Sequence, residues 1–464
     1  MPAVPPQYRK DASLEEANPH VLDRSMMAIA RARSFFAPKL RQVGHFLTRQ
    51  GIAVAGNLLY GLLCVRMLPV SDYAKFAVLF GYMGSLIVLL DIGVSSALAP
   101  LVGEQIDNLP LIANYVASIR RLALWVFFII APLASICFVW LVQRQHWGPA
   151  IVIQMLIALL TLAWFARVSA SYGSVLLLRR DRARYYRIQI IGSLGSLGLL
   201  LIFWLAHRMN VYVGILLNMA QVIFLGTSYY FRAQQLLGVK GQPSRQQERA
   251  IVRLAMPNMP SAIFYATQGQ FMLMLITFFG HASAVADMGA LNRLFQITGF
   301  FTQMNPVLVE PFFARLQQGR LKRAYLAAVA IIALCSTAYT GLAFLYPGVF
   351  LWILGPKYSS LRLEVSLVIL SSAIQYLAGF MWVMNSARRF IYWWNNLSHI
   401  ILTLSLQVFV VWKFNLSTVR SVLYLNIACA TLTLLVTIAV GIYGFVFGPQ
   451  RLESQTETLE SPTA

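Results

Sequence analysis

Charge is what this chain has least of. Only 11% of its 464 residues are Asp, Glu, Lys or Arg, where soluble globular proteins carry about 25%, so an ordinary water-soluble domain is excluded. Cysteine is scarce too. Cys64, Cys137, Cys335 and Cys429 lie inside apolar runs at irregular separations, which shows neither a disulfide framework nor a metal spacing; each reads as a small apolar packing residue. The six histidines (His20, His45, His146, His207, His281 and His399) are scattered. No nucleophile–base pair and no metal-ligand set appears, so the expectation is a protein without catalytic chemistry, metal or cofactor.

What the chain has instead is apolar length. Hydrophobic residues make up 58%, gathered in runs of about the 20 residues that carry a helix across a bilayer. Read as helices, the runs predict twelve spans over 44–67, 76–99, 122–142, 149–178, 188–206, 211–231, 254–279, 285–309, 324–346, 363–385, 392–412 and 421–447. The fold class is all-α integral membrane, in two lobes of six helices. With the N-terminus placed inside, 26 of the 37 Lys and Arg residues fall on the inner side and 7 on the outer side. By the positive-inside rule both termini are cytoplasmic. The net charge of +21 then belongs to inner anchors such as "RRDRARYYR" (179–187) against anionic headgroups, and nucleic acid is not an expected partner.

The expected domains are a cytoplasmic N-terminal tail (1–43), an N-lobe (44–231), a cytoplasmic linker (232–253), a C-lobe (254–447) and a cytoplasmic C-terminal tail (448–464). The N-terminal piece "VLDRSMMAIARARSFF" has the pattern of a basic amphipathic helix on the inner leaflet, against the plainer reading of an unstructured tail. "PQRLESQTETLESPTA" at the other end reads as unstructured. The linker, "RAQQLLGVKGQPSRQQERA", divides the spans six and six, as two structural repeats would. Outer segments are short, which leaves no room for a folded extracytoplasmic catalytic domain.

Polar residues inside the spans carry the functional argument, because charge at membrane depth is costly unless it snorkels or faces a wet cavity. Arg66 and Arg167 lie toward span ends and read as headgroup anchors. Arg49 and Arg293 lie deeper. Around Arg293, the residues Asn292, Gln296 and Gln303 follow helical spacing along one face, which belongs against water or protein, not lipid. Asn57 forms a similar polar face on the first span with Gln50. Asp91, in "LLDIG", lies at the depth of Arg49, so it is either a structural ion pair or an ion-coupling carboxylate. Pro257 and Pro260 break the start of the seventh span, as a hinge or a helix start would.

Several stretches resemble the Wzx-like polysaccharide flippases, in the same superfamily as multidrug MATE exporters and lipid II flippases. "GNLLYGLLCVRMLPVSDYAKFAVLFGYMGSLIVLLDIGVSSALAP" resembles the family's first hairpin. "AMPNMPSAIFYATQGQFMLMLITFFG" with "ADMGALNRLFQITGFFTQMNPVLVEPFFARL" resembles the start of its second half, and "FLWILGPKYSSLRLEVSLVIL" its outer turn between spans 9 and 10. "DYAKF" departs from the family, which usually has glycine after tyrosine. The resemblance covers about residues 40–447. It implies alternating access and an undecaprenyl-diphosphate-linked oligosaccharide as cargo, in the bacterial inner membrane, during surface polysaccharide (O-antigen, exopolysaccharide or capsule) synthesis. Cavity arginines recur in that family, and Arg49 and Arg293 match the role. Arginine suits a diphosphate through bidentate bonding, carboxamides suit sugar hydroxyls, and Tyr60, Tyr82 or Phe300 would stack on sugar rings. Membrane lipids, a glycan polymerase and other assembly proteins are the implied partners. The competing readings are a multidrug or small-molecule exporter of the same superfamily, which would use acidic groups for cationic drugs, and a non-transporting scaffold for glycan assembly.

Overall fold

The structure, a computed structural model, describes residues 50–91, 94–95, 97–102, 105, 107–179, 181–256, 259–302, 304–314, 316, 318–388, 390 and 392–460. Those residues form helices and turns and contain no strand. In chain order the helices are α1 (Gln50–Met67), α2 (Val70–Asp91), α3 (Leu98–Val102), α4 (Leu109–Gln143), α5 (Pro149–Leu178), α6 (Arg182–Leu205), α7 (Val211–Leu237), α8 (Arg245–Ala255), α9 (Met259–Phe279), α10 (Ala282–Thr302), α11 (Asn305–Ala314), α12 (Gln318–Leu345), α13 (Pro347–Leu354), α14 (Arg362–Ala387), α15 (Trp393–Lys413) and α16 (Val419–Glu460). Ten of them are long and apolar enough to cross a membrane by length and composition. Two more helices, α9 and α10, have 21 residues each. The expected all-helical membrane bundle is therefore present, with ten candidate spans among the described residues.

Its boundaries follow local chemistry. Asn108 caps α4 by accepting the Leu111 amide at 3.1 Å, and Asn210 caps α7 by accepting that of Val213 at 2.9 Å, each satisfying an orphan N–H of a first turn. Gly238, at φ 65°, ends α7 in the left-handed region, where a Cβ would be strained. Large apolar side chains point outward where water would forbid them. On α4, Trp125, Phe128, Ile129, Leu133, Ile136 and Trp140 are all exposed, a stripe at helical spacing that suits hydrocarbon.

Some expected elements are drawn differently. The second span is not continuous to 99: α2 stops at Asp91, whose carboxylate accepts the Ser95 amide at 3.1 Å, and the chain restarts as α3. Such a side-chain-to-backbone bond competes with the helix ladder. The eighth span likewise ends at Thr302 and continues as α11. The last helix runs to Glu460, through a segment expected to be unstructured; Leu, Glu, Gln and Arg there are good helix formers that extend a helix already nucleated. The N-terminal tail, with its candidate amphipathic helix, lies outside the described residues.

The linker is structured. Helix α8 docks on α4 through Arg121–Glu248, Ser118 donating to Gln247 at 3.0 Å and burial of Ile251 and Ala255. Ahead of it, the Gln242 amide donates to Asn114 at 2.7 Å. Its pattern explains the docking: Ile251 and Ala255 lie on one face and Arg245, Glu248 and Arg249 on the others.

Residues from Gly51 onward form one compact unit. Its buried apolar residues fall into three clusters among the described residues. One is confined to the first half and α8, with Ile112, Tyr172, Val175, Tyr229 and Ile251. Another is confined to the second half, with Phe313, Tyr325, Phe380 and Met384. The largest joins the halves, setting Leu68, Tyr73 and Phe76 with Leu273, Ile276, Leu291, Leu354 and Tyr358. The two confined clusters lie at the end of the bundle where α8 sits. Most of the joining cluster comes from the opposite ends of the helices, although it reaches Leu86 and Leu90 on α2, so the halves share most of their common core toward one end and also have cores of their own.

Candidate functional site

The seam between halves is built from α1 and α2 against α9 and α10. Helices approach closely there because small residues face each other. A Cβ on Gly289 would stand 2.5 Å from the Cβ of Ala77, and one on Gly81 2.3 Å from Leu273. Polar bonds lock the same end. Lys357 donates to the carbonyls of Arg66 and Leu68 at 2.9 and 2.7 Å. Gln145 donates to those of Thr277 and Gly280 at 2.6 and 3.0 Å. Arg66 donates to Ile353 at 2.9 Å and to Trp352, with its guanidinium 5.1 Å from the Trp352 ring. Arg66 therefore satisfies the terminal carbonyls of α13 and ties the halves together, where a headgroup anchor was expected. These bonds all use turns at one end: α1–α2, α4–α5, α9–α10 and α13–α14.

Arg293 stands where the sealed zone gives way. The first half of α10 is buried at Val285, Ala286, Met288, Ala290 and Leu291, while Gln296, Phe301 and Thr302 are exposed. The guanidinium lies against Gly61 of α1, its Nη1 only 2.8 Å from where a Cβ would be. Its Nε is 3.5 Å from the Tyr73 hydroxyl, its Nη1 donates to Gln296 at 3.1 Å, and it sits 5.8 Å from the Phe76 ring. Among the described residues the ion pairs are Lys75–Asp72, Arg121–Glu248, Arg179–Asp107, Arg232–Asp181 and Arg420–Glu364; none involves Arg293. A charge held by a neutral amide, a phenol and a ring face keeps donor capacity for an anion.

The other sequence-derived candidates part company. Asn292, next to Arg293, turns away into the second half, where it lines a cavity of about 190 Å³ with Gln268, Gln270, Gln375 and Asn426. Gln375 donates to Asn426 at 3.3 Å, and Gln407 extends the set by donating to Gln268 at 2.8 Å. Sequence reading missed this carboxamide cluster because its members come from α9, α14, α15 and α16; only the tertiary fold gathers them. Asn57 accepts Gln221 at 2.8 Å, and Gln221 accepts Ser196 at 2.9 Å, a chain that ties α1, α6 and α7. Asp91 makes the bond to Ser95 described above. Pro260 is the second residue of α9, after the break that separates α8 from α9. Arg49, Gln303 and Pro257 lie outside the described residues, and so does the Arg49–Asp91 pair.

One of the aromatic assignments is corrected. Tyr60 is buried and donates to the Gly214 carbonyl at 2.6 Å. Tyr82 donates to the Ala134 carbonyl at 2.7 Å and packs edge-on against Phe138. Both hydroxyls are bonded to backbone carbonyls; the Tyr60 ring is buried and closed to a sugar, while Tyr82 is half-buried. Phe300 lies against Gly51, 3.7 Å from where its Cβ would be. Arg167, expected to snorkel, is buried instead. The cysteines divide: Cys64 and Cys429 are buried, while Cys137 and Cys335 are exposed on the apolar surface and do not fill core space.

Neither a protein-family model nor a curated protein sequence matches the chain. Solved structures do share its fold. A multidrug resistance MATE family transporter of the MOP superfamily, in an inward-facing conformation, superimposes with a TM-score of 0.63 at 16% identity, covering 88% of this chain and 96% of that one. The lipid II flippase MurJ, in an inward closed conformation, gives 0.60 at 13% identity, covering 86% and 88%. A MOP superfamily transporter from Pyrococcus furiosus, described as having a binding pocket of reverse polarity, gives 0.57 at 15% identity, covering 88% and 94%. The chain thus has the MATE/MOP transporter fold, the architecture expected from its sequence.

Proposed function

We propose that this protein is a flippase that moves a polyprenyl-diphosphate-linked oligosaccharide between membrane leaflets by alternating access. The observation that carries this reading is the position of Arg293: a guanidinium at the apex between two halves, outside every ion pair among the described residues, where the buried seam opens. The fold shared with MATE transporters and with a lipid II flippase supports a transport role, and Arg293 gives the anionic group a donor. Flipping such a lipid requires a diphosphate and sugars to pass a polar route while the polyprenyl chain stays in hydrocarbon. The carboxamides that surround Asn292 offer neutral donors and acceptors matched to hydroxyl-rich cargo.

The conformation fits one state of such a cycle. The halves are sealed at the end with the Arg66, Gln145 and Lys357 bonds and have separate cores at the α8 end. With the α8 end cytoplasmic, as the Lys and Arg distribution predicts, this is an inward-facing state, and cargo enters from the side where lipid-linked glycans are assembled. Asp91 remains a proposed coupling carboxylate, with glycan polymerases and other assembly proteins as proposed partners.

The test is reconstitution of purified protein in vesicles with a fluorescent polyprenyl-diphosphate oligosaccharide in one leaflet. Arg293→Ala is expected to lower flipping at least tenfold, for loss of about 1.5–3 kcal/mol of charged hydrogen bonding, with Arg293→Lys retaining an intermediate rate because the charge stays and the bidentate fork is lost. Unimpaired flipping by Arg293→Ala at equal protein would end the proposal. Export of cationic dyes in place of the lipid would assign the multidrug reading instead.

A further inference from the structure

A second arginine site lies on the flank of the first half, away from Arg293. Arg167 of α5 is only 5% exposed, and its Nε and Nη1 have no hydrogen-bond partner among the described residues. Its guanidinium is 4.5 Å from the Trp164 ring, a contact that attracts the charge without using its N–H groups. Two charges act on it from neighbouring elements: Arg120 of α4 repels and Asp91 of α2 attracts, and Asp91 forms none of the ion pairs among the described residues. A buried guanidinium with unused donors and a like charge nearby is unfavourable by itself. Something anionic would relieve all three penalties.

The space for it exists. Arg120, Trp164, Arg167, Ser171, Tyr172 and Tyr230 line a cavity of about 320 Å³ between α4, α5 and α7, near the lower end of the range for small-ligand pockets. Its polar wall combines two guanidiniums, a donor set for phosphate oxygens, with the hydroxyls of Tyr172, which is bonded to Arg120, and Ser171, which is 3.3 Å from the Ser95 hydroxyl. Tyr172 and Tyr230 pack edge to face at 5.1 Å, which fixes that wall. On the remaining side is Phe231, 63% exposed, a ring on the apolar surface. The level in the membrane is set by α4: Arg120 and Arg121 directly precede the apolar run that begins at Leu122, and the exposed stripe begins at Trp125. The cavity therefore lies where α4 passes from hydrocarbon to headgroups.

From this geometry we infer that the Arg120–Arg167 cavity binds the phosphate of an anionic membrane phospholipid, with the headgroup between the guanidiniums and the acyl chains against Phe231. This site is separate from the seam and does not depend on the cargo assigned to Arg293. Its occupant would pin α4, α5 and α7 together at the end where the first half keeps its own core, and so favour the conformation seen here.

The experiment is calorimetric titration of the purified full-length protein with dioctanoyl phosphatidylglycerol, dioctanoyl phosphatidylcholine and inorganic phosphate in parallel. Phosphatidylglycerol is expected to bind at least about tenfold more tightly than phosphatidylcholine, and Arg167→Gln and Arg120→Gln are each expected to weaken it about tenfold. Arg120 is exposed, so its variant carries the test if Arg167→Gln does not fold. Equal binding by wild type and the Arg120 variant overturns the site. Phosphatidylglycerol binding no tighter than that of inorganic phosphate overturns the lipid assignment.

Discussion

Replacing Gln145 with alanine should open the sealed end of the bundle. Its Nε2 donates to two carbonyls near the end of α9, those of Thr277 at 2.6 Å and Gly280 at 3.0 Å, and so holds the α4–α5 turn against the second half. Neutral hydrogen bonds contribute about 0.5–1.5 kcal/mol each after exchange with water, so the loss is roughly 1–3 kcal/mol. If those bonds exist only in the sealed state, the equilibrium toward opening shifts by about 5- to 150-fold. Cys64 offers a native reporter. It is fully buried in the core that joins the halves, on the stretch of α1 where Gly61 meets Arg293. With the exposed Cys137 and Cys335 and the buried Cys429 changed to alanine, the alkylation rate of Cys64 follows the open population. Adding Lys357→Ala should multiply the effect, because its bonds to Arg66 and Leu68 involve a different turn and separate sites add in free energy. A Cys64 alkylation rate unchanged in the double variant would refute the account of these bonds as a seal. A membrane-impermeant maleimide applied to whole cells also reads orientation: labelling from outside places the sealed end outward.

Two further outcomes follow from packing and charge. Gly289→Ala should cost about 1–3 kcal/mol by overpacking against the Ala77 methyl, whereas Gly299→Ala, with nothing within 4 Å of its Cβ, should be neutral or gain about 0.5–1 kcal/mol from helix propensity; thermal unfolding in detergent distinguishes them. Docking of α8 should be pH-dependent. The hydrogen bond from Arg121 holds the Glu248 carboxylate below the usual glutamate range, so its contribution is present above that range and is lost as pH falls through the depressed value. Hydrogen exchange over 245–255 should accelerate in that acidic window, and Glu248→Gln should abolish the acceleration.

Much of the fold was legible because lipid makes strong demands on sequence. Spans must be apolar for about 20 residues, and cutting the chain at its charged segments locates the long helices α4 to α7, α9, α10, α12 and α14 to α16, although α4 begins thirteen residues before the expected span and α16 runs thirteen beyond it, and α8, α11 and α13 were not expected. What misled was continuity: the apolar run 76–99 reads as one span, yet the Asp91 carboxylate takes the Ser95 amide and the helix breaks. The site was legible in part. Charge at depth singled out Arg293, and helical spacing joined it to Gln296. The same spacing put Asn292 on one face with Gln296 beside Arg293, although Asn292 lines the carboxamide cavity of the second half while Gln296 accepts from Arg293. For Arg167, distance from the span end suggested an anchor; the Trp164 ring and the walls of α4 and α7 enclose it instead.

Composition and one-dimensional pattern alone determined that the chain is a multi-pass helical membrane protein with no metal-ligand spacing, because hydrocarbon penalises each exposed charge and backbone group wherever it stands. Only the tertiary structure decided which polar groups share a site. Gln268, Asn292, Gln375 and Asn426 are separated by scores of residues and converge through helix packing, and the seam of Gly81, Gly289 and Ala77 follows from which helices face each other. The reason is physical: the cost of burying charge is set residue by residue, whereas partnership depends on the azimuth of each helix, and that is fixed by packing against neighbours the linear sequence does not name.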